Sequence, residues 1–164
     1  MGKNHLLALA FVLACGSAAA AEPKTAKDFV GTWTLVAADK LLPDGTRIED
    51  YGPGPHGLAI FTADGRYSVS IYRADRRKFA SNDKLTGTPE EYRDVSLGMS
   101  AHFGRYTVDG AKGVVTLEID RASYPNWDGA SRATPFEIVG DELTWKVPPR
   151  PDGSIPISTF RRVK

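Results

Sequence analysis

Trp33 opens a long series of short strand-like segments, and it constrains the fold more than any other residue. It lies in Gly31-Thr32-Trp33-Thr34-Leu35. After it, runs of β-branched and aromatic residues alternate with turns that contain Gly, Asp and Pro. The predicted strands are 32–38, 58–62, 66–73, 101–108, 113–121, 132–139, 142–147 and 157–163. Strands at hairpin spacing predict an all-β antiparallel sheet of eight strands, and closure into a barrel would remove its exposed edges.

One short helix is predicted in the middle of the chain. Thr88-Pro89-Glu90-Glu91 combines an N-cap residue, a proline at the first helical position and an acid three residues after the cap. We expect this helix to lie against one barrel opening, with Tyr92 and Val95 facing inward. The polar segment 74–87 before it is too long for a tight hairpin, and we expect it to border the mouth as a movable lid.

The composition describes one folded and electrically neutral domain. The chain has 164 residues, of which 41% are hydrophobic, with seven Phe, six Tyr and three Trp. This is enough apolar surface to exclude a disordered chain. It holds 21 basic and 20 acidic residues, and loss of a leader that contains Lys3 leaves 20 of each. A neutral domain has no global field that attracts nucleic acid or anionic lipid, so neither is expected as a partner.

Residues 1–21 have the pattern of a signal peptide. Lys3 supplies the positive start, residues 6–14 form an apolar run, and Ala19-Ala20-Ala21 precedes Glu22 as a small-residue cleavage site. A second interpretation stays open, because residues 12–16 around Cys15 resemble a lipobox whose acylated thiol would anchor the protein in a membrane. In both cases we expect residues 22–164 to be exported, periplasmic or secreted. Cys15 is the single cysteine, so no disulfide is expected.

Seven short segments carry a resemblance to a known family. They are 31–33 (Gly-Thr-Trp), 42–45 (Leu-Pro-Asp-Gly), 51–53 (Tyr-Gly-Pro), 57–65, 87–92, 103–109 and 125–127 (Pro-Asn-Trp). Their order resembles the bacterial lipocalin-like domain family of calycin-type barrels. The resemblance implies a small barrel with a central cavity over residues 22–164, and no shared catalytic residues. It also implies that Trp33 lies at the closed end under an arginine of the last strand, Arg161 or Arg162.

Polar and aromatic residues on strands or at strand ends are the candidates for contact with a ligand. Ligand cavities are mostly apolar, with a few polar groups that orient the ligand. Arg105 is expected to meet either Asp120 or an acidic group of the ligand, and Phe79 of segment 74–87 is expected to cover an apolar ligand. The complete set of candidates is Tyr67, Tyr72, Phe79, His102, Arg105, Tyr106, Tyr124 and Trp127.

Three sequence patterns could indicate nucleotide binding, nucleophilic catalysis or metal binding, and in this chain we interpret all three as structural features. Residues 52–57 match G-x-G-x-x-G, but a strand rather than a helix follows them and two prolines remove amide donors. Ser100 lacks the second glycine of a nucleophile elbow. His56 and His102, the two histidines after residue 21, have no metal-ligand spacing. We therefore expect no catalytic residue, no metal and no cofactor.

The favoured function is binding of a small hydrophobic or amphipathic molecule in the barrel. Two other functions stay open. The first is a cofactor-free isomerase or cyclase with His102 or a tyrosine as acid or base, which a histidine bonded to a carboxylate in the cavity would favour. The second is a structural envelope barrel filled by its own side chains.

Overall fold

The computed structural model describes residues 22–164, and their strands form one closed antiparallel barrel. The predicted signal peptide and Cys15 lie outside the described residues. The strands are β1 (Gly31–Leu41), β2 (Arg47–Glu49), β3 (His56–Phe61), β4 (Arg66–Tyr72), β5 (Met99–Asp109), β6 (Val114–Ala122), β7 (Ser131–Val139), β8 (Glu142–Lys146) and β9 (Ile155–Arg162). The predicted all-β fold with a lipocalin-like barrel of eight strands is confirmed.

Pairing between the first and last strands closes the barrel. β1 pairs with β3 through residues 31–34 and with β9 from Trp33↔Arg162 to Leu41↔Ile155. The remaining strands pair in sequence order, each with its neighbour along the chain. The three-residue strand β2 extends the far end of β1, from Asp39↔Glu49 to Leu41↔Arg47. Eight strands therefore form the wall, and β2 lengthens one edge of it.

Two α-helices and the 3₁₀ helix Pro125–Trp127 accompany the barrel within residues 22–164. Helix α1 (Ala26–Phe29) precedes β1, and its Phe29 is fully buried. Helix α2 (Pro89–Leu97) begins where the sequence predicts, because Thr88 accepts from the Glu91 amide and the Glu91 carboxylate accepts from the Thr88 amide. No residue of α2 is buried. Among residues 22–164, no helix is long and apolar enough to cross a membrane.

Aromatic side chains fill the end of the barrel at which β1 begins. Phe29 makes edge contacts with Phe61 and Phe136, with ring centroids 5.1 and 4.8 Å apart, and Phe61 makes an edge contact with Tyr106 at 5.0 Å. The Tyr106 hydroxyl donates to the carbonyls of Ala26 and Thr62. We call this end the floor. It seals the barrel because α1 supplies an aromatic plug where the strands leave an opening.

Candidate ligand-binding site

A cavity of about 430 Å³ occupies the end of the barrel opposite the floor. Its apolar wall comes from β4, β8 and β9 together with the residue after β8: Val69, Ile71, Trp145, Val147 and Ile157. Its polar side comes from the β5 strand, the β6–β7 connection and the start of β7, where His102, Trp127 and Arg132 lie. This combination of one apolar wall and a few polar groups is typical of small-molecule sites.

Arg132 is the cation of the cavity that lacks a carboxylate partner. Its guanidinium lies over the Trp127 ring, with 4.0 Å from Cζ to the centroid. Within residues 22–164 the side chain makes no salt bridge and donates no hydrogen bond. Burial lowers the pKa of Arg132, although a guanidinium remains charged at any physiological pH. A half-buried charge of this kind is costly unless an anion joins it.

The carboxylates that line the cavity are already paired with other cations. Asp39 accepts from Arg47, with 2.6 Å between Nη2 and Oδ2. Asp50 forms a bidentate pair with Arg150 at 3.0 and 2.6 Å, and Lys40 adds a contact of 3.2 Å. Each acid therefore has a nearby base, and Arg132 remains as the unpaired positive charge of the lining.

A buried pair, Tyr67 and His102, lies beside Arg132. The Tyr67 hydroxyl is 2.9 Å from His102 Nδ1. Burial, and then the positive charge of Arg132, lower the pKa of His102 to about 4, so the imidazole is neutral near pH 7. Burial raises the pKa of Tyr67, which keeps its hydroxyl protonated. His102 lines the cavity, whereas Tyr67 stands outside the lining.

The connection between β8 and β9 crosses the cavity mouth. Pro148, Pro149 and Pro151 all line the cavity, and the three rings stiffen this segment because proline fixes φ. The Arg150–Asp50 ion pair ties the segment to the chain between β2 and β3. The Asp50 side chain is only 8% exposed, so water screens this pair less than it screens a surface salt bridge.

Comparison with known proteins identifies the family. The family model of the lipocalin-like domain matches residues 30–162. The chain belongs to this family. No curated protein matches the sequence. The resemblance drawn from the seven segments is therefore confirmed.

Solved structures similar to this lipocalin-like chain share little sequence with it. A lipocalin-like protein from Bacteroides uniformis is 16% identical, with a TM-score of 0.42 over 83% of this chain and 99% of that one. An uncharacterized protein from Bacteroides eggerthii is also 16% identical, with a TM-score of 0.41 over 83% and 100%. The fluorescent protein UnaG is 12% identical, with a TM-score of 0.39 over 84% and 98%.

Two of the eight predicted ligand contacts, His102 and Trp127, line the cavity of the lipocalin-like barrel. Tyr67 does not line the cavity, but its hydroxyl is hydrogen-bonded to His102. Tyr106 points inward at the other end, where its hydroxyl holds the floor together. The Tyr124 ring is half exposed and makes an edge contact with Trp127 at 5.5 Å. Tyr124 therefore supports a cavity residue without touching the cavity.

Two predicted contacts lie on the outer face of the barrel. In β4 the side chains of Tyr67, Val69 and Ile71 point inward, so Tyr72 points outward, where Arg76 lies over its ring at 5.0 Å. In β5 the inward residues are His102, Gly104 and Tyr106, which turns Arg105 to solvent. Arg105 therefore has no role in the cavity. A solvated guanidinium also has no need of the Asp120 partner that a buried one would require.

The predicted lid does not cover the cavity. No residue of segment 74–87 lines it. Phe79 instead contacts Tyr92 of α2, with ring centroids 5.4 Å apart, and the Ala80 amide donates to Glu91. Tyr92 donates to the Lys84 carbonyl and is 41% exposed rather than directed into the barrel. Segment 74–87 packs on α2 because the two are adjacent in sequence and each has an apolar side chain, Phe79 or Tyr92, that contacts the other.

Trp33 is fully buried at the floor. The arginine over its ring is Arg162, at 4.0 Å. Arg162 also donates to the carbonyls of Val30 at 2.7 Å and Asp28 at 2.5 Å, while Trp33 Nε1 donates to Phe29 O at 2.8 Å. Arg161, the other arginine considered, faces outward toward Glu142, because neighbouring residues of a strand point to opposite faces.

Arg132 carries the unpaired charge of the cavity, and the sequence prediction did not name it. The signal for it lies in β7, where Phe136 and Ile138 are the large apolar residues. A face that contains residues 136 and 138 also contains residues 134 and 132. Among residues 22–164, no group of three His, Cys, Asp or Glu side chains is placed to hold a metal ion.

Proposed function

We propose that this protein binds a small amphipathic carboxylate in the barrel cavity. The observation that carries the proposal is the state of Arg132, which is half-buried, stacked on Trp127 and without a carboxylate or hydrogen-bond partner among residues 22–164. A ligand carboxylate would supply the missing negative charge in bidentate geometry. The apolar body of the ligand would lie against Val69, Ile71 and Trp145.

Two features favour binding over the other functions considered. A cavity of about 430 Å³ is space that a barrel filled by its own side chains would not leave, which argues against a purely structural role. His102 bonds to the Tyr67 hydroxyl and not to a carboxylate. It therefore lacks the acidic partner that raises the basicity of a general-base histidine.

A pair of probes that differ only at the polar end tests the proposal. Dansyl-undecanoic acid and its methyl ester share the same apolar body, and only the acid carries a charge. We expect the parent protein to bind the acid at least about tenfold more tightly, since a charge-assisted hydrogen bond contributes about 1.5–3 kcal/mol. Arg132→Met keeps an unbranched apolar stem and removes the charge, so it should abolish the preference for the acid.

Arg105→Met is the matched control. It removes the same charge from the outer face of β5, which β6 separates from β7, so the preference for the acid should survive. Equal binding of acid and ester by the parent protein would refute the proposal. The same conclusion would follow if Arg132→Met and Arg105→Met reduced acid binding equally, because the effect would then come from net charge alone.

We further propose that the protein acts outside the cytoplasm. Support comes from the sequence of residues 1–21, with its basic start, apolar run and alanine-rich end. Mass spectrometry of the protein isolated from its native host tests this proposal. A mature N-terminus at Glu22 would indicate a freely exported protein, an acylated Cys15 would indicate a lipoprotein, and an intact Met1 in the cytoplasmic fraction would refute export.

A further inference from the structure

The cavity lining contains a second polar side chain, His102. Its neighbours determine which of its two ring nitrogens carries the proton. His102 is buried and Tyr67 is 3% exposed, so each polar atom of the pair needs a partner. Within residues 22–164, the only hydrogen bond made by either side chain joins the Tyr67 hydroxyl and His102 Nδ1 at 2.9 Å. Two arrangements fit this distance, and they differ in which of the two groups donates.

The Tyr67 hydroxyl identifies the donor. If Nδ1–H donated to Tyr67, the phenolic proton would need another acceptor, and the described residues offer none within hydrogen-bond distance. If Tyr67 donates, a single bond satisfies both the phenolic proton and Nδ1. The raised pKa of the Tyr67 hydroxyl and the lowered pKa of His102 both favour a protonated phenol beside a neutral imidazole. Nδ1 is therefore the acceptor, and the imidazole proton resides on Nε2.

We propose that His102 Nε2–H is a second anchor for the ligand carboxylate, next to Arg132, and that Tyr67 is the positioning residue that fixes this tautomer. This inference rests on the proposed function. His102 lines the cavity, and its bond to Tyr67 occupies Nδ1, so Nε2 is the ring nitrogen left for a ligand. No other described residue bonds to Nε2. His102 and Arg132 thus present donors only, and the ligand group that satisfies both is one with two acceptor oxygens and no proton.

The selectivity of this arrangement goes beyond that of a single arginine. A lone guanidinium attracts any anion. A neutral N–H beside it forms a further hydrogen bond only with a ligand that has a second acceptor atom at a defined position. A primary amine or ammonium at the same place would meet two donors and no acceptor. The site therefore selects carboxylates against amines of the same size.

Nuclear magnetic resonance tests the tautomer without any ligand. Long-range proton–nitrogen correlation spectra of the full mature chain should show His102 with a proton on Nε2 and a bare Nδ1. In Tyr67→Phe the constraint is removed, so the spectrum should become that of a tautomer mixture while the fold is kept. A proton on Nδ1 of the parent protein would overturn the inference, whatever the ligand proves to be.

Two substitutions of His102 test the anchor. His102→Gln places an amide N–H near the position of Nε2, and His102→Asn places its polar atoms near Nδ1 only. With dansyl-undecanoic acid, Asn should weaken binding about five- to tenfold and Gln by less than about threefold, as expected for one hydrogen bond. The methyl ester should bind both variants equally, because it lacks the charged acceptor. Equal losses of acid and ester binding in the Asn variant would overturn the anchor.

These results separate this inference from the proposed function. If Arg132→Met abolishes the preference for the acid but both His102 variants keep it, the cavity binds carboxylates and the second anchor is wrong. If the parent protein does not distinguish acid from ester, the proposed function fails and the anchor fails with it. Only a preference that depends on Arg132 and also on an N–H at position 102 supports both.

Discussion

Two arginine–tryptophan stacks lie at opposite ends of the barrel, and they differ in what their N–H groups meet. In both, the guanidinium carbon is 4.0 Å from the centre of the indole ring. At the floor, Arg162 donates to the carbonyls of Val30 and Asp28, so both of its Nη atoms have backbone acceptors. In the cavity, Arg132 has the stacking contact without such acceptors among the residues described. The first stack holds the fold together, and the second leaves its hydrogen-bonding capacity to a ligand.

The local chain at the floor is built around Arg162. Gly31 has φ of +130°, a conformation that other residues rarely adopt, and a Cβ there would lie 3.1 Å from Arg162 Nη1. The glycine of the Gly-x-Trp sequence therefore admits the arginine, and the tryptophan supplies the ring beneath it. Nothing comparable surrounds Trp127, which lies in the connection after β6 and remains accessible from the cavity.

The largest expected effect comes from removing the floor tryptophan. Trp33→Ala should lower the free energy of unfolding by about 3–5 kcal/mol, because it removes a fully buried indole and leaves a cavity. It also leaves Arg162 without its ring. Trp127→Ala is the matched variant at the open end, and it should cost far less stability because Trp127 is only half-buried. Equal destabilisation in chemical denaturation would contradict the assignment of the two stacks to different roles.

Exchange of each arginine for methionine gives a sharper comparison. Arg162→Met should destabilise the protein by about 2–3 kcal/mol, because two charge-assisted bonds to backbone carbonyls are lost. Arg132→Met should leave the free energy of unfolding within about 0.5 kcal/mol of the parent, or raise it, because a partly buried charge without a partner disappears. The check is urea denaturation of both variants beside the parent. Arg132→Met destabilising as strongly as Arg162→Met would mean that both arginines are structural.

Much of the fold could be predicted from local signals in the sequence. Turns at Asp64-Gly65 and Gly140-Asp141 mark hairpins, and the residues from Thr88 to Glu91 specify the start of a helix. The closed end followed from the Gly-x-Trp resemblance. In each case the information is carried by a few adjacent residues whose conformational preferences are strong.

The cavity could be predicted only in part, because strand phase and long-range pairing decide it. In β5 both faces carry an aromatic residue, Phe103 on one and Tyr106 on the other, so alternation alone does not choose between His102 and Arg105. The register shift between Phe103 and Gly104 in the pairing with β6 adds to the ambiguity. The Arg150–Asp50 pair joins residues 100 apart, and no local pattern specifies such a contact.

The third expected effect is a pH dependence that originates in the cavity. Burial, with the charge of Arg132, lowers the pKa of His102 from 6.5 to about 4. Below about pH 6.5 the unfolded chain takes up a proton that the folded chain refuses, so stability falls as the pH falls. Between about pH 6.5 and 5 the loss should be about 1.5 kcal/mol, since one pH unit corresponds to at most about 1.4 kcal/mol per proton.

Urea denaturation at several pH values measures this slope. The two proteins differ only at position 102, so the comparison of the parent with His102→Gln isolates the histidine. The variant should show a nearly flat profile over the same range. A parent profile that is equally flat would mean that His102 is protonated as easily in the fold as in water, which would contradict a buried, neutral imidazole beside Arg132.

The smallest expected effect concerns the buried hydroxyl of Thr134, which lies between the two ends of the barrel. Thr134 lies inward on β7, two residues from Arg132, and is 1% exposed. Its Oγ1 has no hydrogen-bond partner among residues 22–164. Thr134→Val keeps the shape of the side chain and removes the hydroxyl, so it should raise the free energy of unfolding by about 1 kcal/mol. Thr144→Val is the control, because Thr144 Oγ1 is 3.1 Å from Thr159 Oγ1, and loss of that bond should lower stability.

Affinity for dansyl-undecanoic acid should not change in the Thr134 variant, since Thr134 is outside the cavity lining. If Thr134→Val weakened binding of the acid but not of the ester, the polar part of the cavity would extend along β7 from Arg132 to Thr134, toward the floor. The division between the two ends would then lie below Thr134 rather than above it.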